Sequence, residues 1–223
     1  MKTKIILAAA IALLVSRSTF AQENAPLCVK GTLASYIALG AGGCMFNSAL
    51  YRNFTYAAPV TNPITPAQIL VTPAVLPMAS APFQGLNFSA LPSSAALWYA
   101  PAGQTRVSII GYNVVPFPPQ GEPAPLAADL TLDLGTAQIN GIIGSVTVTQ
   151  QSTASPPVST VGTFNLEVYE ICNEVCSIKQ TDSVVVSPLT TLQTTLTVTL
   201  NGGSGGVSLN NFAANESFGV QPQ

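Results

Sequence analysis

Between residues 128 and 200 the sequence repeatedly alternates apolar with polar side chains, one position at a time. In 128–134, Leu130, Leu132 and Leu134 fall on one parity and Asp129, Thr131 and Asp133 on the other. The segment 145–150 sets Val146 and Val148 against Thr147 and Thr149. The segment 163–172 sets Phe164, Leu166 and Val168 against Asn165, Glu167 and Tyr169, and 183–187 and 192–200 repeat the pattern. A period of two belongs to a strand with one face in a core and the other in water. A helix brings a face round only every ~3.6 residues and does not satisfy it. The inward sets, completed by Val184, Val186, Leu196 and Val198, supply branched and aromatic bulk for two facing layers. The pattern predicts an all-β fold, an antiparallel β-sandwich of jelly-roll or Ig-like type.

The first half is punctuated differently. Thirteen of the eighteen prolines lie between residues 59 and 125, which favours short or edge strands and long loops. Strands are still expected at 50–56, 68–75, 85–90, 95–99 and 105–115, the last central because both its parities are apolar. The total is about ten short strands. One short N-terminal helix is expected at 32–39, capped by Thr32 and ended by Gly40 in the left-handed region. The glycine-rich run 201–206 reads as a flexible turn into a strand at 207–212. With no fixed-period repeat and no linker, residues 22–223 are expected to form one domain.

Residues 1–21 have the three parts of an export signal. Lys2 and Lys4 precede an eleven-residue apolar run, 5–15, and a cleavage region ending at Ala21. That run is too short to span ~30 Å of hydrocarbon at 1.5 Å per residue. No membrane association is expected after cleavage. The chain from Gln22 onward keeps Lys30, Arg52, Arg106 and Lys179 against nine acidic residues, a net charge of −5. Four scattered cations cannot neutralise a phosphate backbone, so no nucleic-acid partner is expected. The absence of histidine excludes a Ser-His-Asp triad and a His-ligated zinc site. Only 7% of residues are charged while 48% are hydrophobic, so the polar surface must be built from Thr, Ser, Asn and Gln.

Four cysteines in an exported chain predict two disulfides. Proximity favours Cys28–Cys44, which encloses the helix, and Cys172–Cys176, which sit opposite each other across a hairpin turn. The spacings fit neither a zinc ribbon nor a Cys-x-x-Cys redox pair. Extending the hairpin register would set Leu166 against Asp182, an apolar residue against a charged one. A bulge near 180–182 or an exposed hairpin end is expected to resolve this.

Sites for chemistry are sparse. Asp129 and Asp133 share a strand face about 13 Å apart at ~3.3 Å per residue. That is beyond the roughly 5–9.5 Å of a glycosidase carboxyl pair. Glu167, Glu170, Glu174 and Asp182 cluster near the hairpin without calcium-loop spacing, so no metal and no cofactor are expected. Trp98 and Tyr99 are candidate ligand-binding residues as a sugar-stacking platform, although a lone strand tryptophan is more often a core residue. Asn53, Asn87 and Asn215 stand in Asn-x-Ser/Thr sequences.

The run Cys28-x-x-Gly31-Thr-Leu-x-x-Tyr36-Ile-x-Leu-Gly40-x-x-Gly-Cys44 is followed by Asn53-Phe-Thr-Tyr56. Further on come Leu166-x-Val-Tyr169, Thr181-Asp-Ser183 and Ser187-Pro188. Together these resemble a group of uncharacterised exported bacterial β-sandwich proteins that often carry a PEP-CTERM sorting tail. The chain closes on Phe218-Gly-Val-Gln-Pro-Gln223 without that tail's Pro-Glu-Pro signature, so envelope sorting by that route is not expected. The resemblance implies no catalytic residues. The expected protein is a secreted, non-enzymatic structural or adhesive component of the cell surface or extracellular matrix. Its expected partners are extracellular polysaccharide or surface proteins. The alternatives are a carbohydrate-binding module using exposed aromatics and a glycan-active hydrolase on a jelly-roll sandwich.

Overall fold

The computed structural model describes residues 25–58, 64–76, 83–91, 98–117, 126–155 and 162–219. The export segment expected at 1–21 lies outside them. The chain opens with β1 (Gly31–Thr32), helix α1 (Leu33–Ala38), β2 (Cys44–Phe46) and β3 (Ala49–Ala57). A single 3-10 turn, Pro66–Gln68, leads into β4 (Ile69–Leu76), β5 (Phe83–Ala90), β6 (Trp98–Ala100) and β7 (Thr105–Pro116). The second half holds β8 (Leu126–Leu134), β9 (Ala137–Ile139), β10 (Ile143–Ser155), β11 (Gly162–Asn173) and β12 (Val175–Lys179). It ends with β13 (Thr181–Leu189), β14 (Thr191–Asn201), β15 (Val207–Leu209) and β16 (Asn211–Gly219). No described helix is long and apolar enough to cross a membrane.

The strands pair antiparallel in two main sheets. One has six strands in the order β1-β4-β5-β16-β8-β13, the other seven in the order β12-β11-β10-β14-β7-β3-β2. A small sheet, β6-β15-β9, carries Trp98 into the core. The all-β sandwich expected from the alternation is the fold observed, with sixteen described strands rather than about ten. The surplus is instructive. Strands such as β1, β2, β6, β9 and β15 are two or three residues long, too short to show a period. The single strand expected at 207–212 is divided between β15 in the small sheet and β16, which runs on to Gly219 at the middle of the six-stranded sheet. β7 is central as expected, between β14 and β3, although Ile109 on its outer parity is 38% exposed.

The helix forms where its signals lie. The Thr32 hydroxyl accepts a hydrogen bond from the Ser35 backbone N–H at 3.2 Å, and Gly40 follows at φ +55°. α1 buries Leu33 and Tyr36. From Tyr36 a chain of aromatic contacts crosses the core through Phe54, Tyr112, Phe88 and Phe212 to Trp98, with neighbouring centroids 5.0–6.3 Å apart. Such pairs contribute about 0.5–1.5 kcal/mol each beyond the area they bury.

Both expected disulfides are present. Cys28–Cys44 ties the N-terminal segment to β2, where Cys28 N–H donates to Met45 O at 2.8 Å. Cys172–Cys176 joins residues directly opposite across the β11–β12 hairpin. The conflict expected between Leu166 and Asp182 is removed by a change of sheet. β12 pairs with β11 only as far as Tyr169↔Lys179, and after Gln180 the chain passes to the other sheet, where Asp182 lies opposite Leu132. Asp182 still reaches back across the corner, and its Oδ2 accepts from the Glu167 N–H at 2.9 Å. That backbone donor lies just beyond the last residue pair of β12, so the carboxylate satisfies a group the ladder leaves open.

The glycine-rich run at 201–206 is not a flexible turn but a packed one. Gly202 N–H donates to Gln104 O, Ser204 N–H to Ile143 O, and Gly206 carbonyl oxygen accepts from Asn140 N–H, all within 3.0 Å. A Cβ on Gly205 would fall 1.6 Å from Asn140 O. The glycines are there because neighbouring backbone occupies the side-chain space. Gly205→Ala is therefore expected to destabilise the protein by about 2 kcal/mol, in the range of core overpacking. A denaturant midpoint unchanged from wild type would show that the turn yields freely.

Candidate functional site

Among the described residues polar chemistry gathers at two places, one sealed and one open. The sealed one is built by β16. Its inward parity reads Phe212, Ala214, Glu216, and Glu216 is fully buried between the main sheets. Tyr112 on β7 donates to Glu216 Oε1 at 2.8 Å, and Tyr51 on β3 donates to Oε2 at 3.1 Å. A bulge makes this arrangement possible. The β3–β7 register shifts between Arg52 and Thr55, and Asn53 takes up φ +56°. Asn tolerates that conformation better than other side-chain-bearing residues. Tyr51 and Phe54, three positions apart, are thereby both buried. The polar chain continues across the seven-stranded sheet. Thr194 lies beside Tyr112 in register, Ser152 Oγ lies 3.2 Å from Thr194 Oγ1, and Gln150 Nε2 donates to Ser152 Oγ at 3.1 Å.

Burial pushes the Glu216 carboxyl up to about 8 from 4.5, although the hydrogen bonds from Tyr112 and Tyr51 draw it partly back. The same burial, joined by the neighbouring carboxyl, pushes both tyrosine hydroxyls well above their ordinary value. Glu216 has no exposed surface, so no substrate reaches it, and its chemistry is that of a proton held in the core. Sequence reasoning missed this residue. The parity of Phe212, Ala214 and Phe218 would have found it, since Glu216 falls on the same side.

The open site lies on the outer face of the seven-stranded sheet. Here β10, β11 and β14 present Thr147, Thr149, Gln151, Asn165, Glu167, Thr195, Thr197 and Thr199 in paired rows, for example Thr149 between Glu167 and Thr197. A depression of about 560 Å³ opens among them, closed on one side by Lys179 and Asp182 from the sheet-crossing corner. Lys179 Nζ and Asp182 Oδ2 are 2.9 Å apart. Burial raises the Asp182 carboxyl, but the Glu167 N–H and Lys179 outweigh it and hold the group below its ordinary range. Gln151 Nε2 donates to Asn165 Oδ1 at 3.4 Å. These residues come from separate strands, so only the pairing brings them together.

The residues singled out from the sequence fall elsewhere. Trp98 is 2% exposed and packs on Phe212, so it is a core residue and not a stacking platform. Tyr99 is half-buried against Gly206. The reason is the parity of β6, which turns Trp98 and Ala100 inward together. Asp129 is exposed, while Asp133 accepts from Asn215 Nδ2 at 2.9 Å. Asn215 itself is 1% exposed and out of reach of modification in the folded protein, whereas Asn53 is exposed. Among the described residues no three acidic or cysteine side chains group as a metal site. No family model matches the sequence, and no curated protein matches it.

Proposed function

We propose that this is an exported, non-enzymatic structural or adhesive protein of the cell surface or extracellular matrix, and that its contact surface is the outer face of the seven-stranded sheet. The observation that carries this is the broad hydroxyl and amide array on β10, β11 and β14. Neutral polar side chains on hydrogen-bonded strands make a rigid surface with little charge to desolvate, suited to many weak polar contacts. Two disulfides fit an oxidising, extracellular setting. The hydrolase alternative needs a raised carboxyl acid in a cleft. The raised carboxyl among the described residues is Glu216, sealed in the core, while Asp182 in the depression is held ionised. Labelled protein, from Gln22 onward, is expected to be retained saturably on the extracellular matrix of the cells that export it and to leave that matrix chemically unchanged. Absence of saturable retention, or release of matrix fragments, would contradict the proposal.

A further inference from the structure

The depression on the outer face of the seven-stranded sheet has a lining whose chemistry selects among ligands. Its open-face side chains are Thr149, Gln151, Asn165, Glu167, Thr195 and Thr197, three hydroxyls, two amides and one carboxylate. The Lys179–Asp182 pair at its margin neutralises itself at 2.9 Å. An anionic ligand would meet Glu167 with no uncompensated cation beside it. A hard cation wants six to eight oxygens around it, and no acidic cluster is present among the described residues. A peptide strand adding to an edge needs free backbone groups, whereas β10 and β14 are paired along both sides. Alternating donors and acceptors in a volume of about 560 Å³ instead match a compact ligand rich in neutral hydroxyls.

Tyr169 extends the match. It stands two residues beyond Glu167 on the same face of β11, in register with Thr147 on one side and Lys179 on the other. It is half-buried. Tyr169 stands outside the lining, about 13 Å along β11 from Asn165 at ~3.3 Å per residue, so a ring stacked on it and hydroxyls held by the amides would belong to different sugars of one chain. Gln151 and Asn165 are already oriented by their mutual hydrogen bond at 3.4 Å, which lowers the ordering cost of binding. From these juxtapositions we infer that the depression binds a neutral oligosaccharide segment of a matrix polysaccharide, with Gln151, Asn165 and Glu167 on its hydroxyls and Tyr169 stacked on a ring. This rests on the adhesive role proposed for the same face and names its ligand class.

Affinity electrophoresis tests it. The chain from Gln22 onward is run in native gels containing soluble β-glucan, xylan, galactomannan or starch, and in parallel gels containing alginate or pectate. Retardation by at least one neutral polysaccharide and by neither anionic one is expected. Asn165→Ala, Gln151→Ala and Tyr169→Ala, each checked for an unchanged melting midpoint, should weaken that retardation by about tenfold, equivalent to ~1.4 kcal/mol. Asp129→Ala, exposed on the six-stranded sheet, should leave it unchanged. Retardation only by the anionic gels, by none of the gels, or equally in the depression variants would overturn the assignment. If matrix retention persists while no neutral gel retards the protein, the saccharide assignment falls and the adhesive role stands. If retention is absent as well, both fall.

Discussion

Replacing Glu216 with glutamine is expected to raise the melting midpoint at about pH 9 by roughly 10 °C while changing it little near pH 5. Burial lifts the Glu216 carboxyl from 4.5 to about 8 in the folded chain. Between those values the folded state binds a proton that the unfolded chain has released. Stability is therefore full below 4.5, falls as pH rises through the window, and levels off above about 8. At ~1.4 kcal/mol per pH unit the span corresponds to roughly 5 kcal/mol, of which local relaxation and water entry recover a part. Glutamine has nearly the same shape. Its carbonyl accepts from one tyrosine and its amide donates to the other, with no charge to bury. Asp182, lowered rather than raised, loses its contribution only on acidification and does not affect this window. Thermal melts from pH 5 to 9 should slope downward for wild type and run flat for Glu216→Gln. Parallel slopes would show that the carboxyl is not the group that titrates.

Removing the Cys28–Cys44 bridge by a double alanine substitution is expected to cost about 3 kcal/mol, and removing Cys172–Cys176 about 2. The difference follows from sequence separation, 16 residues against 4, since a longer closed loop restricts the unfolded chain more. Packing acts in the same direction. Cys28 and Cys44 are both buried, whereas Cys176 is exposed. Urea titrations of the two double variants should give the larger loss for the N-terminal pair. The reverse order would mean that the hairpin contributes more than its loop length allows.

The sequence made the sandwich legible where its strands are long and one-sided. Leu130, Leu132, Val146, Val148, Leu196 and Val198 all face inward as their alternation requires. Both disulfides were legible from spacing alone. The misses share a physical cause, tertiary structure overriding a local pattern. Asp182 looked misplaced opposite Leu166 because a hairpin register says nothing about a strand that leaves its sheet. The run Gly202–Gly206 looked flexible because sequence does not show which backbone approaches a glycine. Trp98 and Tyr99 are neighbours in sequence, and the parity of β6 decides that Trp98 takes the core reading already open to a lone strand tryptophan. The outer-face depression was illegible because its lining comes from strands up to 48 residues apart, from Thr149 to Thr197. Glu216 was hidden for the opposite reason, an acid at a core position where the alternation predicts an apolar side chain.

Retention on the exporting cells' matrix distinguishes which face of the sandwich makes the contact. Thr149→Lys/Thr197→Lys places two charges side by side on the outer face of the seven-stranded sheet, at positions paired in register. Asp129→Lys/Val185→Lys does the same on the outer face of the six-stranded sheet, again at paired positions. With both variants melting like wild type, the first should lose saturable retention and the second should keep it. Equal retention of the two, or loss confined to the second, would contradict the assignment of the contact surface.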